Sequence, residues 1–428
     1  MAEQHEKALV PQIRFTGFTD PWEQRKLGEL TEIKDSARIP NRLWREAGVP
    51  YIRASDISQE DLRGALFIDE EDYAAYKAAT GAPEKGDVLF NGGGEIGKAI
   101  INGNSSPIYV QGGAVLYARI AHSSLLDARY LVAAFVTQNV VNAIGVLSAG
   151  GTMKHFTLQP AKNLPIEVPS IAEQRRIGAF FDRLDSLITL HQRKYDKLCV
   201  LKKSMLDKMF PKGGSLYPEI RFAGFTDPWE QRKLGDELEF LRNNTLSRAE
   251  LSESEGTAFD IHYGDVLIKY GSVLNLEKAE VPRIVDSAIA DRQTCDRLQD
   301  GDVIIADTAE DSAVGKCTEL CNSKGKMVFS GLHTMPLRPM GEYASGYLGH
   351  YLNSSAFHSQ LLPLMQGIKV ISISRSAMAD TTMTVPSVDE QRQIGAFFDR
   401  LDSLITLHQR KLELLRNIKK SMLDKMFV

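Results

Sequence analysis

One long stretch of this chain occurs twice, and any fold must accommodate both copies. The first begins Glu173-Gln174-Arg175-Arg176-Ile177-Gly178-Ala179-Phe180-Phe181-Asp182 and the second Glu390-Gln391-Arg392-Gln393-Ile394-Gly395-Ala396-Phe397-Phe398-Asp399. They keep step to Phe210 and Phe427, and neither contains proline. Apolar residues recur at Ile177, Phe181, Leu184, Ile188, Tyr195 and Leu198, and at Ile394, Phe398, Leu401, Ile405, Leu412 and Leu415. Alternating steps of four and three are the seam of a coiled coil. Each copy predicts a helix roughly 55–60 Å long at 1.5 Å per residue. Two such helices can bury each other's seams.

His191 and His408 fall on the seam at equivalent places. A seam histidine is either a metal ligand or pH switch, or a packed polar residue that sets register. Val168-Pro169-Ser170 and Val385-Pro386-Ser387 precede the two helices. Ser170 with Glu173, and Ser387 with Glu390, fit capping boxes.

A shorter repeat heads each half. Residues Ile13 to Gly28 return as Ile220 to Gly235, with Ala223 in place of Thr16. Its density of Phe, Trp, Gly and Pro predicts a compact aromatic turn. The unit is therefore short repeat, variable region, long helix, twice over. We divide the chain at 12–168, 169–210, 211–217, 218–384 and 385–428, with 211–217 as a flexible joint. The two variable regions barely match but share landmarks. Gly86-Asp87-Val88 answers Gly301-Asp302-Val303, each opening a buried strand. Gly97-Lys98 answers Gly315-Lys316, and Gly150-Gly151-Thr152-Met153-Lys154 answers Gln366-Gly367-Ile368-Lys369-Val370. Helical patterns at 127–144 and 344–363 complete two mixed α/β domains.

Composition narrows the function. A net charge of −4 argues against binding nucleic acid through a globally basic surface, though not against a local basic face. No apolar run is long enough for a bilayer, and the N-terminus lacks a signal core. Four cysteines give no disulfide framework; Cys317 and Cys321 are spare thiols or part of a zinc site. These features suit a cytoplasmic protein. Gly92 to Lys98 has phosphate-loop spacing, but Ala99 stands where Ser or Thr should hold magnesium, and no helix follows. Asp20-Pro21-Trp22 only faintly matches a methyltransferase motif. We find no nucleophile elbow or carboxylate-lysine nuclease cluster. Basic residues Arg410, Lys411, Arg416, Lys419, Lys420 and Lys425 form either a solvated helix face or a docking surface.

With these motifs assembled, the chain resembles the specificity subunit of a type I restriction-modification system. The resemblance rests on the Val-Pro-Ser-x-x-Glu-Gln-Arg-x-Ile-Gly-Ala-Phe-Phe-Asp stretches, on Val49-Pro50-Tyr51-Ile52-Arg53-Ala54-Ser55-Asp56-Ile57, on Gly86 to Phe90 and on Gly151 to Lys154. It covers the chain from about residue 12 onward. The Tyr-Ile-Arg-Ala-Ser-Asp segment finds no clear counterpart in the second domain. The resemblance implies two target recognition domains, each reading half of a bipartite double-stranded DNA site. It implies a spacer of two long helices forming an antiparallel coiled coil, and hence an internal pseudo-two-fold axis. It implies methyltransferase and motor-nuclease subunits as partners, no membrane, and no catalysis or cofactor in this chain. S-adenosylmethionine, ATP and magnesium belong to those partners. The helix interface would comprise Ile177, Phe181, Leu184, Ile188, His191 and Leu198 with Ile394, Phe398, Leu401, Ile405, His408 and Leu415. Candidate DNA contacts beside the landmark loops are Arg53, Ser55, Lys98, Lys154 and His155, then Lys269, Arg292, Lys316, His333 and Lys369. The competing readings are an assembly scaffold that does not read DNA, and a self-sufficient methyltransferase or nuclease.

Overall fold

The structure, a computed structural model, describes residues 9–148, 150 and 154–428. The chain divides into two compact units, 1–192 with 410–428, and 193–409. Each is described in turn.

Among the described residues unit 1 has nine strands: β1 (Glu23–Lys26), β2 (Ile33–Asp35), β3 (Val49–Ile52), β4 (Phe67–Ile68), β5 (Val88–Asn91), β6 (Ala99–Ile101), β7 (Tyr109–Val110), β8 (Val115–Ala118) and β9 (Pro165–Val168). They form sheets ordered β2-β8-β5-β6, β4-β3-β7 and β1-β9. The apolar run Val88-Leu89-Phe90 is buried on both faces in β5, at the centre of the first sheet. β3 and β7 pair in parallel, a register that local sequence cannot announce.

Unit 2 repeats this plan with additions. Its strands are β10 (Glu230–Lys233), β11 (Leu238–Phe240), β12 (Leu251–Ser252), β13 (Ala258–Ile261), β14 (Val273–Asn275), β15 (Arg283–Ile284), β16 (Val303–Ala306), β17 (Thr308–Ala309), β18 (Cys317–Cys321), β19 (Met327–Ser330), β20 (Thr334–Pro339), β21 (Ile371–Ser372) and β22 (Thr382–Val385). The sheets run β11-β20-β16-β18-β14, β12-β15-β13-β19, β17-β21 and β10-β22. β13 pairs with β19 in parallel, as β3 does with β7.

The long helices are Ile171–Lys208 and Val388–Met426, of 38 and 39 residues. The first supplies residues 171–192 to unit 1 and 193–208 to unit 2; the second supplies 388–409 to unit 2 and 410–426 to unit 1. Within unit 1, Lys419 Nζ donates to Asp185 Oδ1 at 2.5 Å, Arg416 to Gln192 Oε1 at 2.9 Å, and the Phe181 ring lies tilted against Phe427 with centroids 5.9 Å apart. One number rises as the other falls, so the segments run antiparallel. Unit 2 repeats the arrangement with Lys202–Asp402 at 2.6 Å and Phe210–Phe398 at 5.9 Å. Ile177, Phe181, Leu184, Ile394, Phe398 and Leu401 are buried. Ile188, His191, Leu198, Ile405, His408 and Leu415 are half-buried along the same seam. His191 and His408 are each engaged by the protein.

The short repeat is the fastener of the helix start. Arg14 donates from Nε and Nη2 to the two oxygens of Glu173, both at 2.7 Å, and Arg221 does the same to Glu390. Both carboxylates are buried. The expected capping boxes are therefore half made. Ser170 and Ser387 accept from the amides of Glu173 and Glu390 at 3.4 Å, but the glutamates turn to arginine instead of reaching back. A bidentate guanidinium binds a carboxylate more strongly than one amide does. Gln174 and Gln391 seal the entry by accepting from the amides of Asp127 and Ala344. Phe15 meets Phe180 edge-on, and Phe222 meets Phe397. Gly178 and Gly395 follow because the helix runs against the start of another helix, Ala128–Phe135 in one unit and Tyr347–Leu352 in the other. A Cβ would lie 2.7 Å from Tyr130 N at one and 2.8 Å from Ser345 O at the other.

The joint at 211–217 is a defined turn, with Ser215 N donating to Lys212 O at 3.1 Å and Ser215 Oγ to Tyr217 O at 2.9 Å. Among the described residues no single helix is long and apolar enough to cross a membrane. One bent pair, Ala128–Phe135 with Gln138–Leu147, has the length, but it buries Tyr130, Leu131, Phe135, Val140 and Ile144 in the core.

Candidate nucleic-acid interface

In unit 1 three loops are sewn together beside the helix Ala54–Ser58. Gln111 N donates to Ile52 O at 2.8 Å, Gly92 N to Ala114 O at 2.9 Å, and Phe156 N to Gly92 O at 2.8 Å. Arg53 caps the helix. Its amide donates to Asp56 Oδ2, and its guanidinium to Oδ2 at 3.2 Å and Oδ1 at 3.0 Å. That hydrogen bond raises the Arg53 pKa, so the residue is a fixed, half-exposed cation. Ser55 stands beside the same carboxylate. Lys154 and His155 are exposed, the His155 ring facing Gly93. Gly151, Thr152 and Met153 lie outside the described residues. Arg53, Ser55, Lys154 and His155 thus share one rim.

Lys98 does not share it. Its Nζ donates to Glu60 at 2.7 Å, and its side chain borders a cleft with Arg129, Asp182 and Asp185. Its counterpart Lys316 donates to Leu267 O at 2.6 Å, and burial lowers its pKa. Both lysines were expected to face a DNA backbone. Instead they brace the far ends of the helices Ala54–Ser58 and Tyr263–Ile268, where carbonyls and acids attract a cation.

The parallel pairings bring out a correspondence missed in the sequence. Tyr51 and Ile52 register with Tyr109 and Val110, as Asp260 and Ile261 do with Phe329 and Ser330. Tyr51 therefore matches Asp260, Arg53 matches His262, and Asp56 matches Asp265. Of the six-residue segment only Ile and Asp are shared, too little to see without the strands.

His262 caps its helix through Nδ1, which accepts from Gly264 N at 3.2 Å. Burial lowers its pKa, so the ring is neutral. Tyr263 links it to His333, with ring centroids 4.7 and 5.3 Å apart. His333 has φ +55° and sits 3.7 Å from Asp307. Arg375 donates to Asn243 Oδ1 at 3.0 Å, while Asn243 Nδ2 donates to Asn244 O and Gly331 O, both at 3.1 Å. Asn243 thereby aims Arg375 from a fixed base. Lys369 lies in the turn between Gln366 and Ser372, which β17–β21 pairing carries beside Asp307 and Thr308. His333 and Lys369 therefore belong to this rim. Lys269 caps the far end of its helix and faces Glu280 at 3.9 Å. Arg292 is exposed two residues before Thr294, which lines a small cleft with Asn243 and Arg375. Asn243, His262, Tyr263, Asp307 and Arg375 were missed in the sequence. The signal for His262 was its place at a strand end before a capped helix.

Beneath this rim Asp260 is buried. Asn244 Nδ2 donates to its Oδ2 at 2.5 Å, and its Oδ1 has no hydrogen-bond partner among the described residues. Burial pushes its carboxyl up to about 6. The rim chemistry suits base edges: an aimed arginine for guanine, imidazoles and a carboxylate for exocyclic amines. Among the described residues, no group of three or more His, Cys, Asp or Glu side chains could hold a metal ion. The four cysteines are all free, and burial pushes the Cys317 thiol up.

Comparison with known proteins agrees with this duplicated plan. The putative type I restriction enzyme MjaX specificity subunit of Methanocaldococcus jannaschii is 22% identical over 424 residues, covering 95% of this chain and 92% of its own. The MjaVIII specificity subunit of the same organism is 19% identical over 297 residues, 64% of each chain. The crystal structure of a type I restriction-modification S subunit from M. genitalium superposes with a TM-score of 0.56 at 15% identity, covering 98% of this chain and 99% of that one. The model of the type I restriction modification DNA specificity domain matches twice, at residues 19–199 and 226–417, and the chain belongs to that family.

Proposed function

We propose that this chain is the DNA-reading, non-catalytic specificity subunit of a type I restriction-modification complex, acting in the cytoplasm. Unit 1 reads one half of a bipartite site through the rim around Arg53 and His155. Unit 2 reads the other through the rim around Asn243, His333 and Arg375. The observation that carries this reading is the contrast within each unit. The fastener Arg14–Glu173 recurs atom for atom as Arg221–Glu390, while the rims hold different side chains. A scaffold alone has no use for two dissimilar polar rims on one frame.

The helices serve as a ruler and as a dock. A 38-residue helix is about 57 Å long at 1.5 Å per residue, against about 34 Å for one turn of duplex between half-site centres. Leu187 and Leu190 on the first helix, and Leu404 and Leu407 on the second, are exposed. They suit methyltransferase helices. S-adenosylmethionine serves those methyltransferase partners, and ATP and magnesium serve the motor-nuclease.

The test is the methylation pattern. The chain is co-expressed with its methyltransferase in a methylation-free host, and modified adenines are mapped. One bipartite motif with a fixed gap is expected, its halves exchanging independently when either domain is swapped. A verified active complex that leaves no motif would favour the scaffold.

A further inference from the structure

The turn from Gln366 to Ser372 presents its apolar residues the wrong way round for a folding element. Ile368 is 98% exposed and Val370 57%, whereas Ile371 packs onto the core of unit 2. Lone exposed aliphatics are ordinary on protein surfaces. This pair is not isolated, and it is rigidly held. Gln366 and Ser372 exchange backbone hydrogen bonds at 2.9 and 2.8 Å. Thr308 and Ala309 pair with Ser372 and Ile371, and Ile373 N donates to Asp307 O at 3.0 Å. Gly367, at φ +119°, closes the turn where a Cβ would lie 1.9 Å from Val370 O. The tip also carries Lys369, and the base of the turn joins Asp307, which lies 3.7 Å from His333.

A pinned turn loses little conformational entropy when it meets a ligand. An aliphatic tip flanked by a cation, on a rim of base-reading chemistry, fits one feature of duplex DNA. That feature is a thymine C5 methyl in the major groove, with a phosphate nearby. We propose that Ile368 is a thymine-reading residue of unit 2, packing on that methyl group while Lys369 takes the adjacent phosphate. This rests on the reading that unit 2 binds DNA, and it assigns one position of that half-site.

The test uses the chain assembled with its methyltransferase partners and a duplex carrying the mapped motif. Each thymine in the half-site, its flank and the gap is replaced in turn by uracil, which removes only the methyl group. One position should weaken binding about four-fold, the worth of one buried methyl. Ile368→Ala should bind thymine and uracil duplexes alike. Its exposure means that folding is not at stake. Lys369→Ala should lower the salt slope by about one while keeping the thymine preference. The proposal is overturned if no uracil substitution weakens binding, or if the preference survives in Ile368→Ala. Insertion of the tip between base pairs would show as binding insensitive to the methyl group yet lost in Ile368→Ala, and would overturn it too. Failure of the parent reading is distinct: the wild-type complex would then bind no motif-bearing duplex at all.

Discussion

Unit 1 and unit 2 share a frame and differ in what that frame carries at matched positions. Tyr51 becomes Asp260, Arg53 becomes His262 and, by the strand registers, Ile101 becomes Glu319. At these positions unit 1 holds the Arg53 cation with Tyr51 and Ile101, and unit 2 holds the His262 imidazole with the buried acids Asp260 and Glu319. Burial pushes Glu319 up to about 7 although Gly346 N and Gly349 N donate to it at 2.6 and 2.9 Å. One architecture can thus host an arginine or a histidine at the same helix-capping position of the rim, because the residues that build the frame lie elsewhere.

The comparison breaks most violently at the shared fastener. Glu173→Ala strands the Arg14 guanidinium, whose side chain is 12% exposed. Losing one partner of a buried pair costs about 3–5 kcal/mol, and the residual exposure puts this case near the lower figure. Glu390→Ala should do the same to unit 2. Thermal unfolding of the complex should show equal losses for the two variants, and Arg14→Met with Glu173→Leu should restore most of the stability. Unequal losses would mean that the fasteners are not equivalent.

A smaller effect separates the units by pH. The folded pKa of Asp260, about 6, lies above the unfolded value of about 3.9, so the folded state binds the extra proton. The contribution of Asp260 to stability is therefore fullest below about pH 4, is lost as pH rises through about 6, and is constant above. Asp260→Asn should remove that share of the slope, leaving the share of Glu319, and gain on the order of 2 kcal/mol at pH 8, with little change at low pH. Tyr51 in unit 1 is neutral throughout, burial raising its pKa further. Tyr51→Phe should leave the pH profile unmoved. An unchanged slope in Asp260→Asn would place the titration elsewhere.

What could be read in advance follows from the range of the interactions. The seam is local, and Ile177, Phe181, Ile394 and Phe398 are buried where a heptad puts them. The short repeat was visible, but not its purpose, because Arg14 meets Glu173 across 159 positions. The glycines of the Ile-Gly-Ala-Phe-Phe motif likewise answer to the starts of helices distant in sequence. At the rim, Lys369 lies within a landmark turn that the sequence displays. His262 and Asn243 depend on a parallel strand pairing, which has no local signature. Lys98 and Lys316 misled because a Gly-Lys pair in a loop marks where a lysine starts, not where its ammonium ends.

The finest contrast is at His333. It holds φ +55° where unit 1, by the registers of β7 and β19 and the loops that follow, has Gly113 at φ +75°. A left-handed non-glycine residue is strained by about 1 kcal/mol or more, and such strain persists where a side chain is needed. His333→Gly should therefore stabilise unit 2 by about 1 kcal/mol while loosening its half-site, since a lost base contact is worth about 1–3 kcal/mol of discrimination. Gly113→His should destabilise unit 1 by a similar amount and bring no new specificity, because Gly92 stands where Asp307 would orient the ring. Melting curves and methylation maps of both variants check the pair. Were His333→Gly less stable with an unaltered motif, the histidine would be part of the frame, and the boundary between frame and reading rim would have to be moved outward.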